Sequence, residues 1–160
     1  YPTAFQVDRP QARADGTVSV EGHNLLGESW SNGRVILSWD DVTRGVADFS
    51  DGHNVVFHEF AHQLDAESGV INGAPPLRQN SYRAWAAVFT DNFKDLVQRR
   101  NRGRSTVMDT YGATSPAEFF AVATETFFEK PHQLHKRRPQ LYQELQAYYQ
   151  VDPRDWSKNS

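Results

Sequence analysis

The chain has 160 residues, 38% of them hydrophobic and 23% charged, with a net charge of −3, which suits one soluble globular domain and excludes a disordered chain. No long basic run gives electrostatic support to nucleic-acid binding; the stretches Arg99–Arg102 and Lys136–Arg138 read as solvated helix ends. Cysteine is absent, which excludes disulfides, thiolate metal sites and cysteine nucleophiles, and no apolar run approaches the ~20 residues of a membrane helix.

In chain order, the first third reads as β-rich. Thr17 to Glu21 alternates apolar and polar residues, and Leu25–Trp30 and Arg34–Trp39 flank Ser31-Asn32-Gly33, a hairpin-turn signal. Asp40-Asp41 leads through Gly45 to Asp51-Gly52, which reads as a loop. A helical period runs from about Asn54 to Glu67, and Gly69, Gly73 and Pro75-Pro76 then mark an irregular loop up to Gln79. Ser81 starts a second helix, with Tyr82, Trp85, Phe89, Phe93, Leu96 and Val97 near one face, ending at Arg102-Gly103. A third helix starts at Ser115-Pro116 and stops before Pro131. A fourth spans Pro139–Tyr149 and is ended by Val151-Asp152-Pro153. Strands first and helices after predict an α+β domain with a small N-terminal β-sheet or hairpin.

His58-Glu59-Phe60-Ala61-His62 fits H-E-x-x-H. On a helix, residues i and i+4 lie one turn apart on one face, so two imidazoles can reach one ion. Glu59, beside them, can take a proton from a zinc-activated water as it attacks a peptide carbonyl, and can pass it to the leaving amine. A 160-residue chain with 6 histidines produces this pattern by chance about 0.01 times. The motif therefore predicts a zincin-type helical core around this helix. A helical wheel puts His58, His62 and Asp65 on one side and Val56, Phe57, Phe60 and Leu64 on the other, predicting one functional face and one core face. Asp65 reads either as an acceptor for a ligand histidine's ring N–H or as an ordinary cap or ion-pair residue.

A catalytic zinc wants a third protein ligand and one open position. The metzincin continuation fails, because its Gly and His positions hold Asp65 and Ser68. Asp109, before Tyr111-Gly112, is an outside candidate. Glu118 and Glu125 share a face of the third helix, with Phe120 and Phe127 turned the other way. Ser115-Pro116-Ala117-Glu118 is also a capping-box pattern. Spacing leaves Glu118 and Glu125 both open, one as ligand and the other as its support. His23, His53, His132 and His135 read as surface residues, with His53 near enough to the zinc helix to line the cleft.

The stretches His58–Asp65 and Tyr111–Val122 resemble the Mlc titration factor A peptidases. So do Val35–Val42 and the ending Tyr148–Pro153. The resemblance implies a gluzincin-like fold related to the catalytic domain of anthrax lethal factor. It implies Glu118 as third ligand beside His58 and His62, and Tyr111 as a catalytic donor to the developing oxyanion beside the base Glu59. It also implies a cytoplasmic aminopeptidase acting on peptides, with Mlc-like repressors as partners in the family. Residues 1–160 are expected to form one catalytic domain, without the family's additional N-terminal region. The main expectation is thus a zinc-dependent peptidase. The alternative is a regulatory protein that sequesters a transcriptional repressor, for which Glu59 would have no use.

Overall fold

The computed structural model describes residues 5–12, 18–25, 27–29, 35–78 and 81–159, with side chains described over 35–78 and 81–156. Among the described residues, four strands, β1 (Phe5–Ala12), β2 (Val18–Leu25), β3 (Gly27–Ser29) and β4 (Val35–Leu37), precede six helices. β1 pairs antiparallel with β2, from Phe5 opposite Leu25 to Ala12 opposite Val18. β3 pairs antiparallel with β4 through Gly27–Leu37, Glu28–Ile36 and Ser29–Val35. The α+β expectation is borne out. The Ser31-Asn32-Gly33 turn and the His23 side chain lie outside the described residues.

The helices are α1 (Trp39–Ala47), α2 (Val55–Ala66), α3 (Tyr82–Asn101), α4 (Pro116–Glu129), α5 (Pro131–Arg137) and α6 (Pro139–Tyr149), with 3₁₀ turns at Thr110–Ala113 and Pro153–Asn159. Where the sequence suggested a loop after Trp39, the chain forms α1. Asp40 and Asp41 occupy its first turn and Arg44 its last, each at the end where the helix dipole favours its charge, and Arg44 bonds Asp41 at 2.9 Å.

α4 organises the core. Every residue from Phe119 to Phe127 is buried, because α2, α3, α5, α6 and the first 3₁₀ turn all pack on it. Glu118 and Glu125 do share a face of α4, both reaching His58, with Phe120 and Phe127 fully buried; what the sequence did not indicate is that the Glu125 carboxylate also lies in the interior. Trp85 of α3 stacks on Phe89 at 3.9 Å and meets Phe120 edge-on. Leu134, Leu141, Tyr142 and Leu145 close the far side. Burial of each such side chain contributes roughly 1.5–3 kcal/mol. Arg99 and Arg138 both pair with Asp95, tying α3 to the start of α6. Among the described residues, no helix is long and apolar enough to cross a membrane.

Candidate metal centre

The site is built where α2 crosses the first turns of α4. Asn54 caps α2, accepting the N–H groups of Val56 at 3.1 Å and Phe57 at 3.3 Å. Satisfying these otherwise orphaned donors fixes where the helix begins. His58 and His62 then project from successive turns. Ser115 caps α4 through the N–H of Glu118 at 3.2 Å, which sets Glu118 in the first turn, facing both histidines.

Three donor atoms converge. His58 Nε2 lies 2.9 Å from Glu118 Oε2 and 3.2 Å from His62 Nε2, and His62 Nε2 lies 3.5 Å from the same carboxylate oxygen. In a tetrahedral zinc site with bonds near 2.0–2.1 Å, neighbouring ligand atoms stand about 3.3 Å apart. The observed triangle matches that spacing. These three residues can together hold a metal ion.

The electrostatics also call for a cation. Burial works against a charge on His58, yet the carboxylates of Glu118 and Glu125 outweigh it and lift its pKa to about 10. Burial alone would raise Glu118, but hydrogen bonds from His58 and His62, and their charge, pull it down to about 2. The carboxylates thus make the point where the donors meet attractive to positive charge. On the other side of the His58 ring, Nδ1 lies 2.7 Å from Glu125 Oε1. A proton held there leaves the Nε2 lone pair free for a metal. Glu125 is itself anchored, its Oε2 accepting the Asn54 N–H at 2.6 Å. The donor set therefore fits zinc in number, type and spacing.

The structure distinguishes the two glutamates that spacing left open: Glu118 reaches the Nε2 atoms, and Glu125 the rear of His58. Asp109 stands apart. Its Oδ1 accepts the Tyr111 N–H at 2.6 Å and its Oδ2 pairs with His53 at 3.0 Å. Tyr111 is brought to the site, its ring centroid 6.0 Å from that of His58. Burial first, then the negative charges of Glu118 and Glu59, raise its pKa, so the phenol keeps its proton and can donate. His132 and His135 lie outside the three-residue cluster.

Two readings of α2 are corrected. Its interior face carries Glu59, Ala61 and Asp65, whereas Phe60 is 53% exposed. The helix is covered on one side by α4 and on another by β3 and β4, so polar residues needed at the site occupy the interior and one phenylalanine is left outside. Asp65, fully buried, serves no histidine. Its carboxylate accepts the N–H groups of Gly73 at 2.6 Å and Ala74 at 3.0 Å, and His62 Nδ1 finds no hydrogen-bond partner. The loop after α2 is thereby tied down, and Trp85 Nε1 holds it again through Gly73 O at 3.0 Å.

Sequence reasoning missed Asn54 and Glu129. Asn54 Nδ2 donates to Glu129 Oε1 at 2.9 Å and approaches Gly45 O at 3.4 Å, so one amide joins α1, α2 and α4. The available signal was an Asn immediately before a helical run, a preferred cap. The His53–Asp109 pair was missed too, and no sequence pattern announces it.

The chain is similar to known proteins along nearly its whole length. A model of the glucose-regulated metallo-peptidase M90 family matches residues 1–150. The chain is 47% identical over 156 residues to an uncharacterised protein of Synechocystis sp., covering 96% of this chain and 56% of that one. It is 36% identical over 157 residues to Mlc titration factor A of Yersinia enterocolitica, covering 96% and 58%. Against Mlc titration factor A of Serratia proteamaculans it is also 36% identical, over 159 residues, covering 96% and 59%. The chain thus spans somewhat more than half the length of these relatives. By motif, by the convergence of the three donors and by this similarity, the chain belongs to the glucose-regulated metallo-peptidase M90 family.

Proposed function

We propose that this chain carries the catalytic site of a zinc-dependent peptidase, with His58, His62 and Glu118 as ligands, Glu59 as general base and Tyr111 as oxyanion donor. The observation that carries the reading is the triangle of Nε2, Nε2 and Oε2 atoms, spaced as zinc ligands are and backed by Glu125. Zinc held there would polarise the scissile carbonyl and acidify a water. The Glu59 carboxylate takes the proton of the attacking water and returns it to the leaving amine nitrogen. Its burial to 7% exposure keeps competing solvent away from that transfer. The Tyr111 hydroxyl, kept protonated by its surroundings, donates to the oxygen on which negative charge develops. Glu125 keeps the proton of His58 on Nδ1. The family resemblance supports aminopeptidase action on small peptides in the cytoplasm.

A second reading takes its support from the name of the Yersinia and Serratia relatives, Mlc titration factor A. In that reading the chain sequesters an Mlc-like repressor and the centre serves as scaffold. Glu59 separates the two, because a scaffold has no need of a base next to its ligands. The test is zinc analysis and a peptide-library cleavage profile on the original protein and Glu59→Gln. The variant is expected to keep its zinc and its thermal stability while hydrolysis falls by ~10²–10⁴-fold. Cleavage at the original rate would sink the mechanism. No cleavage by either protein, with equal binding to a repressor, would favour the second reading.

A further inference from the structure

The turn carrying Tyr111 is held on two sides. Inward, Gly112 and Ala113 are buried, and the turn packs on α3 and α4. Outward, Asp109 acts in two directions. Its Oδ1 accepts the Tyr111 N–H at 2.6 Å, and its Oδ2 meets His53 Nε2 at 3.0 Å. His53 belongs to the loop just before Asn54, the cap of α2, and its own N–H is fixed by Asp51 Oδ1 at 2.8 Å. That loop is pinned in turn from α4, through Lys130 Nζ on Asp51 O at 2.5 Å. One carboxylate therefore connects the backbone of Tyr111 to the root of the helix bearing His58, Glu59 and His62. Tyr111 is 54% exposed, so packing on its side chain alone does not fix its approach to His58.

We propose that His53 and Asp109 form a positioning pair that holds the Tyr111 hydroxyl in register with the His58–Glu59 side of the site. Neither residue needs to touch substrate. The inference rests on the oxyanion role of Tyr111 given above. Its physical basis is that a donor helps only when it meets the developing charge at hydrogen-bond distance, and small misplacements are costly. The pair is exposed on the His53 side, at 63%, so it contributes little to global stability. Its loss should therefore appear in turnover and not in folding.

The experiment is a double-mutant cycle of His53→Gln and Tyr111→Phe, with His53→Arg as the control that keeps a long N–H donor able to reach Asp109. Substrate is the peptide that the wild-type cleavage profile ranks first. Hydrogen exchange across residues 106–115 is measured on the same proteins, with and without zinc. His53→Gln is expected to lower kcat about two- to fivefold, the range an exposed pair can supply, with KM and zinc content unchanged. Exchange at the Tyr111 and Gly112 amides should quicken, and His53→Arg should restore both. In the Tyr111→Phe background His53→Gln should cost nothing more. If Tyr111→Phe lowers kcat but His53→Gln alters neither turnover nor exchange, the pair has no positioning role and the oxyanion reading stands. Full additivity of the two substitutions also overturns the pairing. If Tyr111→Phe leaves kcat intact, the oxyanion reading falls first and the positioning role falls with it.

Discussion

The two flanks of the metal centre are built on opposite principles. On the Glu118 flank the supports are buried: Asp65 grips the Gly73 and Ala74 amides, Trp85 grips the Gly73 carbonyl, and Glu125 grips His58. On the Tyr111 flank Gly112 and Ala113 are buried too, but the polar support is a partly exposed carboxylate reaching a solvent-facing histidine. A buried polar group is costly unless fully paired, so the first flank tolerates little movement. On the second, the outer His53–Asp109 pair can part without leaving a fully buried group unpaired. In the proposed function, the ligands, which must keep one spacing, belong to the flank braced by buried groups, and the hydroxyl proposed to meet a substrate belongs to the flank with the solvent-open support.

The largest expected effect would break this contrast if it failed. Replacing Glu118 by Ala removes one of three ligands and should abolish stoichiometric zinc. Replacing Glu125 by Ala should leave zinc bound but weaken its affinity by about 10–100-fold, the usual cost of losing a partner behind a ligand. Competition with a chelator measures both. Full zinc occupancy in Glu118→Ala, with loss in Glu125→Ala, would exchange the two assignments.

The next effect sharpens the contrast from the other flank. Tyr111→Phe should lower kcat by ~10²–10³-fold with zinc content, KM and melting temperature unchanged. A loss of zinc in this variant would mean that Tyr111 belongs to the rigid flank after all.

These assignments were unevenly readable in the sequence. The α2 motif is contiguous and its i, i+4 geometry is fixed by the helix itself, so His58 and His62 needed no tertiary information. α6 was readable because Pro139 starts it and Pro153 follows its end. α1 was not, because Asp40, Asp41 and Gly45 are turn-type residues that here serve a helix start and a close approach to Asn54. The choice between Glu118 and Glu125 depends on how far α4 slides along α2. Both carboxylates share a face, and one register would exchange their roles. The wheel of α2 set His58 and His62 on one face and turned Phe57 inward, where it stacks on Phe128, but it misplaced Phe60, which is exposed, because the interior around α2 also takes Glu59 and the loop-holding Asp65.

The smallest effect probes how the rigid flank is braced, and it turns on two glycines in one loop. Gly69 and Gly73 have nearly the same backbone, with φ of +83° and +80°, a region where a side chain is strained. Their surroundings differ. A Cβ on Gly69 would meet nothing within 4 Å, whereas one on Gly73 would lie 2.4 Å from the carbonyl oxygen of Pro116. Pro116 opens α4, two residues before Glu118, and Gly73 is the residue that both Asp65 and Trp85 hold. Each alanine substitution should cost roughly 1–3 kcal/mol for the strained backbone alone. Gly73→Ala must additionally push the loop from α4, which would also pull on the Asp65 and Trp85 bonds. Its melting temperature should therefore fall further than that of Gly69→Ala, and only Gly73→Ala should weaken zinc binding, because only there does the disturbance reach the turn that presents Glu118. Equal losses in both variants, with zinc affinity unchanged in each, would mean that the loop is a connector and that α4 holds Glu118 without it.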